Sequence, residues 1–117
     1  VIIKRGEHGV LLFKGDSIFS APAFPLESVV DPTGAGDSFA GGFMGYVAAT
    51  GDLSHEGLRR ATVLGSVMGS FAVESFSADR LSTVTRSDVE GRFRVFSHLS
   101  QFAPLNEGEP IPWQDER

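Results

Sequence analysis

The residues best suited to chemistry stand between Asp31 and Phe43, where the sequence reads Asp-Pro-Thr-Gly-Ala-Gly-Asp-Ser-Phe-Ala-Gly-Gly-Phe. This pattern predicts the end of a strand, a turn of small residues and the start of a helix. The free N–H groups and the positive dipole end at such a start bind anions such as phosphate. Gly34 and Gly36 let the backbone approach the anion because they have no Cβ. The segment therefore predicts a phosphate site.

Asp37 places a carboxylate beside this predicted phosphate site, where it would repel the anion unless it has a function of its own. Accepting the proton of a hydroxyl group that attacks the γ-phosphorus is such a function. The backbone N–H groups of Ala35, Gly36 and Asp37 would stabilise the charge on the transferred group. A lone Asp at a helix start more often only complements the helix dipole. The interpretation of Asp37 as a base therefore depends on the pattern around it.

The elements around this segment predict an α/β protein. Apolar runs at residues 1–4 and 9–14 indicate two strands around a tight turn, and Gly15-Asp16 indicates a hairpin to a third strand at 17–21. From Gly36 the period is that of a helix. Two further helices are predicted after Ser54 and Thr85, because both residues are suitable N-caps. A polar loop is expected at 75–84.

The first predicted helix carries a stripe of small residues, namely Ser38, Gly42, Gly45 and Ala49. Each interior Gly costs about 1 kcal/mol relative to Ala. We expect close packing against a sheet, a helix or a ligand to offset that cost. The second predicted helix is apolar on most of its surface, so we expect it to be buried.

The composition excludes several classes of protein. A chain of 117 residues with 41% hydrophobic and 21% charged residues fits one globular domain. The net charge is -5, the last fourteen residues supply -3 of it, and Lys and Arg form no cluster, so neither nucleic acid nor a membrane surface is an expected partner. The absence of Cys excludes disulfides and thiolate zinc sites. The uncharged stretch at 38–50 is too short to span a bilayer.

The two ends of the chain differ in character. The chain opens on the apolar run Val1-Ile2-Ile3, with neither an initiator Met nor a leader, and we expect it to be part of something longer. We expect residues 1–103 to form one folded unit. Residues 104–117 contain three prolines and an excess of acidic residues, and we expect them to form a loosely ordered tail.

The segment from Asp31 to Gly42 resembles the second signature of the ribokinase-like, or PfkB, carbohydrate kinase family, and the resemblance extends more weakly from Val1 to about Phe96. The resemblance implies the C-terminal part of a three-layer α/β/α fold with a mainly parallel sheet. It also implies ATP-dependent phosphorylation of a hydroxymethyl group on a sugar or nucleoside, with Mg²⁺ accompanying the ATP. A cytoplasmic location and a homodimer are further expectations.

The resemblance also implies roles for individual residues. Asp37 matches the base, which also contacts the substrate hydroxyl, and Gly34, Ala35 and Gly36 match the anion hole. Asp31 and Thr33 match two ligand positions of a monovalent cation, which implies potassium. An Asn that contacts ATP in some members has no counterpart among residues 61–64. The nucleotide loop matches Lys4, Arg5, Gly6, Glu7, His8 and Gly9, with Lys4 in place of a common Thr.

Parts of the family pattern should lie upstream of Val1. These parts are the substrate-binding half, the lid strands and the magnesium-associated Asn-x-x-Glu motif. We therefore expect this chain alone to be inactive as a kinase. Residues 106–109 spell the same Asn-x-x-Glu pattern, but they follow the last predicted helix and lie in the acidic tail, so we interpret the match as coincidence.

The sequence leaves two alternatives to the kinase. A non-catalytic nucleotide-binding or regulatory fragment of the same fold is the main alternative. A serine hydrolase is a remote one, based on Ser38 with Asp52 and His55. Ser38 and Asp52 would lie at opposite ends of one helix, roughly 20 Å apart at about 1.5 Å per residue, which is too far for a hydrogen bond.

Overall fold

The computed structural model describes residues 1–25, 34–74 and 83–112 of the chain. Its strands are β1 (Ile2–Lys4), β2 (Val10–Lys14) and β3 (Ser17–Ala21), and a short 3-10 turn at Gly6–His8 joins the first two. Its helices are α1 (Ala35–Thr50), α2 (His55–Ala72) and, after the next gap in the description, α3 (Arg86–Leu99). The predicted α/β class is confirmed. None of these helices is both long and apolar enough to cross a membrane.

The three described strands form an antiparallel sheet in the order β1-β2-β3. Lys4 pairs with Val10, and Lys14 pairs with Ser17 across the predicted Gly15-Asp16 turn. The resemblance implied a mainly parallel sheet, and the described strands depart from it. Their connections contain five and two residues, which are too short for the crossover that parallel neighbours require.

Helices α2 and α3 begin at the predicted caps, whereas α1 begins without a capping side chain. Ser54 Oγ accepts a hydrogen bond of 3.1 Å from the Gly57 N–H. Thr85 and Asp88 form a capping box, in which each side chain accepts from the other residue's N–H. The residue before α1 is Gly34, which has a left-handed conformation and no side chain to offer.

Helix α2 lies at the centre of the described structure and packs against α1, α3 and the β2–β3 hairpin. Its buried residues include Ala61, Val67 and Phe71, so the predicted burial of this helix is confirmed. Val67 and Phe71 form a core cluster with Phe96 of α3, and Val63 and Phe93 pack against that cluster. This core fixes α3 against α2.

The stripe of small residues on α1 is only partly a packing surface. A Cβ on Gly42 would lie 2.9 Å from Met68 Cγ and 3.0 Å from the Leu64 oxygen, so close packing is confirmed there. Gly45 is exposed and would meet no described atom within 4 Å, so the prediction is wrong at that position. At 3.6 residues per turn Gly45 is rotated by about 60° from Gly42, away from α2.

The close approach of α1 to α2 predicts opposite effects for two Gly→Ala substitutions. A Cβ on Gly65 would lie 2.9 Å from both the ring and the carbonyl oxygen of Phe39. We expect Gly65→Ala to lower the free energy of unfolding by about 1–3 kcal/mol, because the backbone oxygen cannot move without moving α1. Gly91→Ala is the control, since Gly91 is exposed in α3 with nothing within 4 Å. It should raise stability by about 0.5–1 kcal/mol.

Urea unfolding followed by circular dichroism measures both changes. If Gly65→Ala stabilised the protein as much as Gly91→Ala does, the two helices could not be in close contact at this point.

Candidate active site

The loop between β1 and β2 is closed by its own backbone. The Arg5 N–H donates to the Gly9 oxygen at 2.8 Å, and the His8 N–H donates to the Arg5 oxygen at 2.9 Å. Gly9 has φ 91° and ψ -154°, a conformation that is almost exclusive to glycine. A Cβ on Gly9 would also collide with the Ala21 oxygen of β3. The loop is therefore held tightly against the end of the hairpin.

The first turn of α1 presents free N–H groups. The Ser38 N–H donates to the Gly34 oxygen at 2.9 Å, which is the first bond of the helix. Within the described residues, the N–H groups of Ala35, Gly36 and Asp37 have no acceptor, as expected for a helix start without a cap. Gly36 and Asp37 are exposed, so this end of the helix is open to a ligand.

Lys4 connects the loop to the start of α1. Its Nζ lies 5.4 Å from the centroid of the Phe39 ring and would be 3.1 Å from a Cβ on Gly36. No carboxylate of the described ranges lies within ion-pair distance of this ammonium group. A cation beside the positive end of a helix is unfavourable, and an anion bound between them would relieve the repulsion. The arrangement suits a phosphate group.

A cavity of about 780 Å³ lies between the loop, the helix start and α2. Five residues predicted for the phosphate and nucleotide sites line it, although Lys4, Gly6 and Gly9 are far in sequence from Ala35 and Gly36. The volume is in the range of small-molecule sites, for which about 300–1,000 Å³ is usual. The structure thus brings two separately predicted segments to one cavity.

Four other predicted residues lie outside the cavity lining. Arg5 and His8 are exposed on the loop, and Gly34 is exposed at the start of α1. Asp37 is also exposed and has no hydrogen-bond partner among the described residues. Its carboxylate is available to a ligand that approaches from outside the cavity. The roles predicted for these residues remain predictions.

The predicted cation site lies outside the described residues. This holds for Asp31 and Thr33, and the side chain of Glu7 in the nucleotide loop is not described either. In the part of the chain that the structure describes, no three His, Asp or Glu side chains come together to hold a metal ion.

Residues 106–109, which spell the Asn-x-x-Glu pattern, form an exposed turn in which the Asn106 N–H donates to Glu109 Oε1 at 2.9 Å.

Part of the cavity wall was missed by sequence reasoning. Residues 22–25 line it together with Ser66, Gly69 and Ser70 of α2 and with Val73, the C-cap of that helix. These four residues recur at spacings of three, one and three, so they lie on one face of the helix and its end. Ser66, Gly69 and Ser70 are small, and this run of small residues on one face of the helix was a usable signal in the sequence. Both Ser hydroxyls donate to carbonyls of their own helix.

The residues of the remote hydrolase alternative do not come together. Ser38 lies in the first turn of α1 and Asp52 follows the end of that helix, so the two residues are about 20 Å apart along its axis. Asp52 Oδ1 accepts hydrogen bonds from the Ser54 hydroxyl at 2.5 Å and the Ser54 N–H at 2.9 Å. These bonds, with a smaller effect of the Arg60 charge, hold the pKa of Asp52 below its ordinary value. Asp52 therefore has a structural partner at the start of α2.

Several known proteins are similar in sequence to this chain. The profile described as pfkB family carbohydrate kinase matches residues 1–85. A cytidine kinase of Thermococcus kodakarensis is 57% identical over 49 residues, which are 39% of this chain and 17% of that kinase. A nucleoside kinase of Methanocaldococcus jannaschii is 33% identical over 75 residues, which are 64% of this chain and 23% of that kinase.

A solved structure shows the same likeness in three dimensions. The aminoimidazole riboside kinase of Salmonella enterica, complexed with aminoimidazole riboside and an ATP analog, superimposes with a TM-score of 0.68 at 30% identity. The match covers 79% of this chain and 30% of that chain. The present chain therefore spans less than a third of the length of each of these relatives.

Proposed function

This chain belongs to the pfkB family of carbohydrate kinases, and on that premise we propose that it supplies the nucleotide loop, anion hole and catalytic base of an ATP-dependent kinase. The proposed reaction is phosphorylation of a hydroxymethyl group on a sugar or nucleoside. The observation that carries the proposal is the single cavity shared by the loop and the start of α1. Because the chain spans less than a third of its relatives, we place the substrate-binding half in residues outside it.

The residues of the cavity fit the parts of ATP. The N–H groups of Ala35 and Gly36 and the Lys4 ammonium group would bind the phosphates, while the more apolar wall formed by 22–25 and α2 would hold the base. Magnesium bound with ATP would neutralise phosphate charge. The described residues contain no cluster of His, Asp or Glu side chains that could hold a metal ion. The magnesium ligands, and the binding of potassium by Asp31 and Thr33, are therefore proposals.

Asp37 would act on the second substrate rather than on ATP. The oxygen of the attacking hydroxyl forms a bond to the γ-phosphorus, the bond from that phosphorus to the bridging oxygen breaks, and ADP leaves. The Asp37 carboxylate takes the hydroxyl proton. Its position supports this role, because it is exposed beside Gly36 and outside the nucleotide cavity, where a hydroxyl group can reach it. The helix N–H groups stabilise the transferred group.

A nucleotide-binding or regulatory fragment without catalysis is the alternative that the same cavity favours. Such a protein would bind ATP through Lys4 and the helix start but would transfer no phosphate. We propose the kinase because the Asp37 carboxylate is exposed without a hydrogen-bond partner among the described residues, and because the relatives that this chain matches are kinases. A cytoplasmic location, a homodimer and inactivity of this chain by itself remain part of the proposal.

The test is ATP turnover by the full gene product against a panel of sugars and nucleosides. We expect at least one panel member to be phosphorylated. Lys4→Met should raise KM for ATP about tenfold with little change in kcat, because a charged hydrogen bond to phosphate is worth about 1.5–3 kcal/mol. Lys14→Met is the control, since the Lys14 ammonium group instead donates to the Leu53 oxygen at 2.9 Å.

Two results would contradict the proposal. ATP binding without phosphorylation of any panel member would favour the regulatory alternative. Equal KM values for ATP in the Lys4→Met and Lys14→Met variants would remove Lys4 from the phosphate site.

A further inference from the structure

Arg92 of α3 is held between two aromatic rings. The Cζ atom of its guanidinium group lies 3.8 Å from the centroid of the Phe71 ring and 4.4 Å from that of the Phe24 ring. The same group forms an ion pair of 2.6 Å with Glu74 and donates a hydrogen bond of 3.1 Å to Ser70 Oγ. The Arg92 side chain is only 16% exposed. One side chain of α3 therefore fixes residues of α2 and of the segment after β3.

Two partners of Arg92 belong to the cavity wall. Phe24 and Ser70 both line the cavity, whereas Arg92 itself does not. Phe24 lies in the 22–25 segment, which is neither helix nor strand, so its ring position depends on side-chain contacts. Those contacts are Arg92 on its face and Phe96 of α3, whose ring centroid is 5.3 Å away. Helix α3 thus supports the wall from behind.

We propose that Arg92 is a positioning residue of the nucleotide site, which holds Phe24 and Ser70 in the wall that contacts the base of ATP. This inference rests on the proposed function. Helix α3 lies beyond residues 1–85, the part that matches the family profile, so the role of Arg92 comes from this structure and not from that match. Arg92 acts through Phe24 and Ser70 and touches no reacting atom.

The wall opposite the phosphate end is suited to a nucleobase. Lys4 and Gly36 mark the phosphate end, and the remaining lining includes Phe24, Pro25 and Val73, which are apolar. A purine buries its faces against such residues, and an aromatic ring gives the largest contact when its orientation is fixed. The Arg92 guanidinium group, stacked on the Phe24 ring, limits the movement of that ring.

The experiment measures kcat, KM for ATP and KM for the second substrate in the full gene product. Arg92→Met keeps an unbranched side chain but loses the charge and the planar group. We expect it to raise KM for ATP about tenfold, equivalent to about 1.4 kcal/mol, with small changes in kcat and in KM for the second substrate. Arg92→Lys keeps a positive charge near Glu74 without the planar stacking surface and should give a smaller rise. Arg94→Met, on the exposed side of α3, should leave all three values unchanged.

A double-mutant cycle with Phe24→Leu separates positioning from general damage. If Arg92 acts through Phe24, the double variant should raise KM for ATP hardly more than either single variant does. An unchanged KM for ATP, additive effects of the two substitutions, or equal losses in all three kinetic values would overturn the inference. If the Arg92→Met variant does not fold, the same double-mutant cycle with Arg92→Lys and Phe24→Leu tests the inference by the same criteria. A wild-type protein that neither binds nor turns over ATP would instead refute the proposed function.

Discussion

Asp37→Asn in the full gene product is expected to lower kcat at least about a hundredfold, because an amide cannot accept the proton of the attacking hydroxyl. The substitution keeps the size of the side chain and its place in the first turn of α1. Loss of the favourable interaction with the helix dipole would cost only about 0.3–1 kcal/mol, which is too little for such an effect. Steady-state kinetics with saturating ATP measures the change, and the affinity for ATP should be nearly constant.

A matched control comes from the turn between β2 and β3. Asp16 is exposed there, remote in sequence from the predicted site, and Asp16→Asn removes the same charge. It should leave kcat unchanged. Turnover of the Asp37→Asn variant within a few-fold of the wild-type rate would exclude Asp37 as the base. A rise in KM for ATP as large as the fall in kcat would indicate a binding role instead.

Gly9→Ala is expected to have the largest effect on both stability and nucleotide binding. Its φ of 91° and ψ of -154° would cost a residue with a Cβ about 1–3 kcal/mol. The Cβ would also collide with the Ala21 backbone oxygen, and such crowding costs about 1–3 kcal/mol more. We expect the free energy of unfolding to fall by about 3 kcal/mol and KM for ATP to rise at least about tenfold, since the loop lines the cavity.

Gly15→Asn is the control for Gly9→Ala. Gly15 also has a positive φ, 57°, but a Cβ there meets nothing within 4 Å, and Asn tolerates this left-handed conformation. The control should change stability only slightly and leave KM for ATP at the wild-type value. Urea unfolding and ATP kinetics provide the two measurements. Similar stability of the two variants would show that contact with Ala21 does not constrain the loop.

The kinase hypothesis and the Arg92 inference make different demands on the same cavity. The first requires the phosphate end, with Lys4 and Gly36, and the base Asp37 beside it. The second requires the ATP site of the proposed function and, in addition, support of its opposite wall from α3. The Arg92 inference can therefore fail while the kinase hypothesis holds, and the kinetic values that test them differ: kcat for Asp37, and KM for ATP for Arg92.

The local features of this protein were determined by its sequence alone. The Gly15-Asp16 hairpin, the Ser54 and Thr85 caps and the start of α1 within one residue of Gly36 were all predicted and are present. Each depends on residues a few positions apart, whose conformational preferences act without help from the rest of the chain. The motif predicted to bind phosphate is equally local, since its described part, Gly34 to Asp37, forms the N-cap and first turn of α1.

The tertiary structure decided which of these local features meet. The Lys4 ammonium group lies near Gly36, and Arg92 lies against Phe24, although many residues separate the members of each pair. Likewise, only the direction of α1 across α2 makes Gly42 a contact and leaves Gly45 exposed. Such contacts depend on how elements pack and not on the preferences of neighbouring residues. For that physical reason the cavity and its support by α3 could not be read from the sequence, whereas the motif at the start of α1 could.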